Sequence, residues 1–206
     1  MRKIIIDSRV IKHLGRDLIT SSDDAVIELV KNAIDARAKR INLRVCNSFL
    51  PSDLPNISEV ANVPMDYLKM PLLLVEDDGI GMTDRVIDDG FLKIATNIKS
   101  SERNTLGQKG IGRLATQRLG SALLVETSSS AENHTSYVFI DWDAVINGAK
   151  EVPSFETPAT NHHTRLWIFG INLEDFIENA IQFQQLTLDD IGRAESSVQI
   201  NRDLKS

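Results

Sequence analysis

Three polar clusters in this 206-residue chain combine residue types and spacings that suit chemistry. The first is Glu28, Asn32 and Asp35 in ELVKNAIDA. At roughly 100° per residue, positions i, i+4 and i+7 of a helix fall within about 60° of one another. Such a face offers a carboxylate to orient water and an amide oxygen for a hard cation. A Glu/Asn/Asp stripe is more often a plain solvated face, although a mid-helix Asn runs slightly against propensity. The second cluster is Asp77-Asp78-Gly79-Ile80-Gly81-Met82, directly after an aliphatic run. A carboxylate at a strand end accepts from an exocyclic amine, which distinguishes adenine from guanine, and two glycines let the backbone turn and approach a ligand. An ordinary Asp-Gly turn has the same text. The third is Gly107-Gln108-Lys109-Gly110-Ile111-Gly112-Arg113. Glycines opening a helix expose N–H groups that suit phosphate, and Lys99, Lys109 and Arg113 add positive charge. Neither the Gly-x-Gly-x-x-Gly dinucleotide fingerprint nor the P-loop spacing is met. Each cluster alone is commonplace. Three in one chain, in this order, outweigh the commonplace readings.

These clusters need elements to carry them. The sequence predicts a first strand over 3–7 and a helix over 23–38 with Ser22 as N-cap. Strands follow at 41–46 and 72–75, with a proline-containing irregular insertion at 47–69 between them. Thr83 is read as the cap of a helix reaching 94, 95–105 as a loop and 110–119 as a helix. Three further strands fall at 122–127, 135–141 and 165–169. Helices interleaved with strands, and consecutive strands late in the chain, predict an α/β two-layer sandwich: a mixed sheet covered on one face by helices. No internal repeat or long linker divides the chain up to about residue 170. The domain expectation is therefore 1–170 as one unit and 171–206 as a helical extension or the start of a following domain.

The three clusters resemble the ATP site of the Bergerat fold in the GHKL superfamily, which includes DNA gyrase B, the ninety-kilodalton heat-shock chaperone, histidine kinases and MutL. ELVKNAIDA resembles the N box, DDGIGM the first glycine box and GQKGIGR the second. Thr164, opening TRLWIF, resembles the threonine of the family's late strand, with His163 where a glycine usually stands. The flanking text looks closest to bacterial chaperone-like and microrchidia-like ATPases. The resemblance covers about residues 17–170. It implies that Asp77 accepts the adenine amine, with Thr164 and Gly81 helping through water, and that Met82 lines the base pocket. Gly79 and Asp35 belong to the same boxes. Asn32 would bind Mg²⁺ and Glu28 would act as general base. Residues 95–106 would form the ATP lid. Lys99 and the backbone of Gln108, Lys109, Gly110, Ile111 and Gly112 would hold the phosphates. The implied cofactors are ATP and Mg²⁺, and the implied activity is ATP hydrolysis with lid closure driving homodimerisation or partner engagement.

Two other readings remain open: a nucleotide switch without useful turnover, and a histidine kinase catalytic domain. The latter needs an upstream phosphoacceptor helix, and the N-terminal text holds only His13. Charge and composition narrow the setting. With 23 Lys and Arg against 29 Asp and Glu, the net charge of −6 gives no global footprint for nucleic acid, which would have to be engaged through a longer parent protein. The one cysteine, Cys46, excludes an intramolecular disulfide framework. No apolar run approaches the roughly 20 residues of a membrane span, and MRKIIIDSR lacks a signal-peptide core. A cytoplasmic protein is the expectation. His162 and His163 read as a loop pair, and Trp142 and Trp167 as core residues in strand patterns. Residues 173–180 read as a helix covering the parent domain.

Overall fold

The computed structural model describes residues 1–6, 21–49, 63–94, 114–159, 161–178 and 197–203. The chain opens with β1 (Arg2–Lys3) and β2 (Ile5–Ile6), followed by α1 (Ser22–Asp35), β3 (Arg40–Cys46), α2 (Met65–Leu68) and β4 (Leu72–Asp77). A π-helical segment (Val86–Phe91), β5 (Lys93–Ile94), α3 (Leu114–Leu119), β6 (Ala122–Ser128), β7 (His134–Asp141) and α4 (Trp142–Ile146) come next. The described elements end with β8 (Glu151–Val152), β9 (Ser154–Pro158), β10 (His163–Phe169), α5 (Leu173–Glu178) and β11 (Ser197–Asp203).

Seven strands form the main sheet in the order β11-β3-β4-β10-β6-β7-β9. Six are antiparallel neighbours, and β11 joins β3 in parallel, so the sheet is mixed as expected. Because β10 inserts between β4 and β6, Thr164 lies opposite Asp77 on one side and Thr127 on the other. Alternation divides the strand residues between two faces. Leu73, Val75, Leu123, Val125, Val138 and Ile168 pack with Val26, Leu29, Val30 and Ala33 of α1. Helix α3 packs against α1. This is the α/β two-layer sandwich. The reverse face carries a second apolar cluster in which Phe49, Tyr67 and Leu68 join Leu72, Leu74, Leu124, Phe139 and Trp167. The described parts of the insertion therefore cover the sheet's back.

Several elements differ from the sequence expectation for local reasons. Ser21, not Ser22, caps α1: it is extended at φ −142°, and its hydroxyl accepts the Asp24 N–H. Asp23 and Asp24 occupy the first turn, where the helix dipole favours acid. The helix expected from Thr83 to 94 is cut short. The Leu92 N–H reaches back five residues to the Ile87 carbonyl at 2.8 Å, a π-helical bond, and β5 begins at Lys93. Gly90 inside this segment is a poor helix former. Trp142 opens a helix rather than lying in a strand, because the Asp141 side chain accepts the Ala144 N–H at 2.9 Å. Trp142 and Trp167 are both core residues. Within 171–206 the structure shows one short helix, α5, and then the strand β11. The expected lid at 95–106 and the glycine cluster at 107–113 lie outside the described residues. No helix among the described residues is long and apolar enough to cross a membrane.

Leu123 is fully buried at the centre of the helix-covered face. Leu123→Ala is expected to cost about 2–5 kcal/mol, read as a lower urea midpoint with an unchanged slope.

Candidate functional site

Strand β4 buries Leu72, Leu73, Leu74 and Val75 and then ends on a carboxylate. Asp77 is only 7% exposed. Its Oδ1 accepts the Gly79 N–H at 2.9 Å, and no donor among the described residues reaches its Oδ2. Burial pushes the Asp77 carboxyl up to about 6; the Gly79 N–H works against this, Asp78 and Glu76 add to it, and His163 opposes it. A buried carboxylate with one open oxygen is the chemistry that an amine donor would complete.

Asp78 has a different task. Its Oδ1 accepts the Lys39 and Arg40 N–H groups at 2.7 and 2.8 Å, and its Oδ2 accepts Arg40 Nε at 3.1 Å. Although burial pushes its pKa up, these donors outweigh it and hold the carboxyl below its ordinary value. Asp78 thus fastens the end of β4 to the start of β3. Asp77 is left to face the site.

The two glycines are required by contact. A Cβ on Gly79 would lie 2.7 Å from the Ala36 carbonyl oxygen, at the end of α1, and the neighbouring Ile80 N–H donates to that same oxygen at 2.9 Å. Gly81 has φ +68°, and a Cβ there would lie 2.0 Å from the Ser128 carbonyl oxygen. The turn is therefore pressed between the end of α1 and the end of β6. This closeness brings the Met82 N–H to Thr127 Oγ1 at 2.9 Å. Thr127 Oγ1 also lies 3.1 Å from the His163 carbonyl oxygen and 3.2 Å from Thr164 Oγ1. A hydroxyl has one proton and two lone pairs. Accepting from Met82 and Thr164 while donating to His163 satisfies all three. Thr127 is 1% exposed and Thr164 8%, so this junction is nearly dry.

Helix α1 brings Glu28 and Asn32 to the same side. Glu28 is half-buried, Asn32 and Asp35 are exposed, and Leu29, Val30 and Ala33 are buried against the sheet. The Asn32 carbonyl accepts the Ala36 N–H at 3.0 Å, one link from the Ala36–Ile80 bond, so α1 and the glycine turn are joined through backbone. Met82 is partly buried against the helix-side core. The structure thus brings together Asp77, Gly79, Gly81, Met82 and Thr164, and Glu28, Asn32 and Asp35 lie on the helix whose C-terminal cap, Ala36, meets the same turn. Lys99, Gln108, Lys109, Gly110, Ile111 and Gly112 lie outside the described residues.

The family model described as histidine kinase-, DNA gyrase B- and HSP90-like ATPase matches residues 19–170. The chain belongs to this family. The GHKL resemblance is thereby confirmed at the level of the superfamily, and ATP binding comes with it. No curated protein matches the chain.

Sequence reasoning missed Thr127, Glu126 and the role of His163. The available signal was a run of polar residues, Glu126-Thr127-Ser128, continuing an otherwise apolar strand. His163 is not a loop residue; it begins β10, and its Nε2 lies 3.0 Å from Glu126 Oε1.

Asp77's position has a measurable stability consequence. A carboxyl raised from 3.8 to about 6 in the folded state stabilises the fold while protonated, and that contribution is lost as pH rises through about 6. The stability of Asp77→Asn relative to the wild type is expected to grow by about 1–3 kcal/mol between about pH 4 and about pH 8, read by urea unfolding.

Proposed function

We propose that this domain is a Mg²⁺-dependent ATPase module, hydrolysing ATP to ADP and phosphate. The observation that carries the reading is the nearly buried Asp77 carboxylate, which ends β4 at the glycine turn opposite Thr164 with its Oδ2 unclaimed among the described residues. In this reading Asp77 accepts the adenine amine, Thr164 and Gly81 help through water, and Met82 lines the base. Asn32 offers an exposed amide oxygen, a hard donor that fits Mg²⁺, and the bound ion would neutralise phosphate charge. Glu28 stands one helical turn earlier on the same face. It accepts the proton of the attacking water as oxygen bonds to the γ-phosphorus and the bond to the β-phosphate oxygen breaks, releasing ADP.

Lys99 and the backbone of residues 108–112 are assigned to the β- and γ-phosphates, and residues 95–106 to the lid. Lid closure would drive homodimerisation or partner engagement. Residues 1–170 would form the nucleotide-binding unit and 171–206, expected as a helical extension or the start of a following domain, would extend it, with β11 paired to β3 at the edge of the same sheet. The flanking text supports a place near bacterial chaperone-like or microrchidia-like ATPases.

Glu28→Ala is expected to lower the rate of ATP hydrolysis by roughly 100-fold or more while leaving ATP affinity within a few-fold of wild type. Asp77→Asn is expected to abolish ATP binding in calorimetry. Unchanged turnover in the Glu28 variant would remove the general-base assignment. A wild type that binds ATP but returns it intact after long incubation would leave a nucleotide switch in place of an ATPase.

A further inference from the structure

On the reverse face of the sheet, directly behind the site, lies a charged network that the proposed chemistry does not use. Glu126 is 3% exposed. Its Oε1 lies 3.0 Å from His163 Nε2 and 3.1 Å from Arg165 Nη1, and its Oε2 accepts Trp167 Nε1 at 3.4 Å. Arg165 Nε also donates to Glu76 Oε1 at 2.6 Å. The other nitrogen of His163, Nδ1, lies 2.8 Å from the Asn161 carbonyl oxygen. A carbonyl only accepts, and so does an ionised carboxylate. Both ring nitrogens must therefore donate for both bonds to form, and only the imidazolium does that.

His163 is also tied to the front of the sheet. Its own carbonyl accepts from Thr127 Oγ1, the hydroxyl that receives the Met82 N–H. The next residue, Thr164, lies opposite Asp77 in the register of β10 and β4. We propose that His163 is a positioning residue for the base-recognition end of the site: bridged as imidazolium between Glu126 and the Asn161 carbonyl, it holds the start of β10 in place and sets a positive charge behind Asp77. The inference rests on the nucleotide reading above for its effect on binding, whereas the bridge through both ring nitrogens of His163 and the pairing of Thr164 with Asp77 stand without that reading.

The groups that bear on this charge come from each neighbouring strand. Glu126 faces it from β6, with Tyr137 of β7 paired across from Glu126. Arg165 lies on its own strand and is shared between Glu126 and Glu76 of β4. Asp77 stands on the side of the site, and Asp78, past the end of β4, is held by Lys39 and Arg40. The Glu126 hydrogen bond raises the pKa of His163 above its ordinary value, against burial, with the Asn161 carbonyl and the Glu126 charge adding and Arg165 opposing. The His163 charge in turn lowers that of Asp77. Removing the cation therefore makes Asp77 protonate at higher pH, where one of its oxygens becomes an O–H donor and the carboxyl is a weaker acceptor.

The test compares wild type, His163→Gln and His163→Lys in two measurements. The first is ADP affinity with Mg²⁺ across pH, using one ligand throughout so that phosphate protonation cancels. The second is the titration of the Asp77 side-chain carboxyl carbon by NMR without nucleotide. For His163→Gln the acid limb is expected to move up by about half a pH unit, roughly a threefold loss of affinity on that limb, with the Asp77 midpoint moving the same way. His163→Lys, which keeps the charge, is expected to return both toward wild type. A residue that mattered only for shape would weaken binding equally at every pH. Coincident acid limbs and coincident Asp77 midpoints in all three proteins would overturn the proposal while leaving the nucleotide reading intact. A wild type that binds no ADP at any pH would remove the nucleotide reading, and the Asp77 titration would then decide the charge coupling by itself. Should His163→Gln fail to fold, His163→Asn, which also removes the charge, is expected to move the Asp77 midpoint in the same direction.

Discussion

Asp77 ends a strand whose aliphatic residues are buried on both faces of the sheet, so water does little to support its charge. The surrounding architecture follows from that position. Gly79 must lack a side chain for the turn to pass the end of α1 and return an N–H to Oδ1. Gly81 must take a positive φ for the turn to pass Ser128 and deliver the Met82 N–H to Thr127. Asp78 must be engaged elsewhere, and the Lys39 and Arg40 donors engage it. Two adjacent aspartates are thus driven in opposite directions by their surroundings, one toward the neutral form and one away from it.

The sheet also links two environments that a drawing of the site alone would separate. Glu126 and Thr127 are neighbours on β6 and point to opposite faces, as do His163 and Thr164 on β10. On the front, two threonine hydroxyls organise the turn. On the back, a buried carboxylate gathers an imidazolium, a guanidinium and an indole. Since the His163 carbonyl belongs to the front network and its ring to the back one, a shift of this residue is felt on both faces.

Elements with one clear period were legible in the sequence. Helix α1 and strands β3, β4, β6, β7 and β10 appear within a few residues of their expected limits, because each combines apolar periodicity with a nearby turn or cap. Strand β9 was not, because it is a polar edge ending at Pro158, where a missing N–H is tolerated. The π-helical bond within 86–92 has no periodic signature, and Trp142 was misplaced because the Asp141 cap outweighs a strand-like run. At the site, single-residue chemistry was readable for Asp77 and both glycines. Thr127 was not readable, since its importance comes from the strand order that sets β6 beside β10. Pairing between strands distant in sequence is invisible to local pattern.

The two carboxylates buried among the described residues are Asp77 and Glu126, and their surroundings differ. Glu126 receives donors on both oxygens, two of them from cationic side chains, so its burial is compensated inside the protein. Asp77 receives one N–H on one oxygen, and burial leaves it prone to protonation. A buried carboxylate left half-satisfied is costly to the fold, and a well-packed core position would favour an apolar residue instead. The cost is intelligible if the missing donor arrives with a ligand. In the proposed reading that donor is the adenine amine, given to an oxygen that nothing else in the described structure claims.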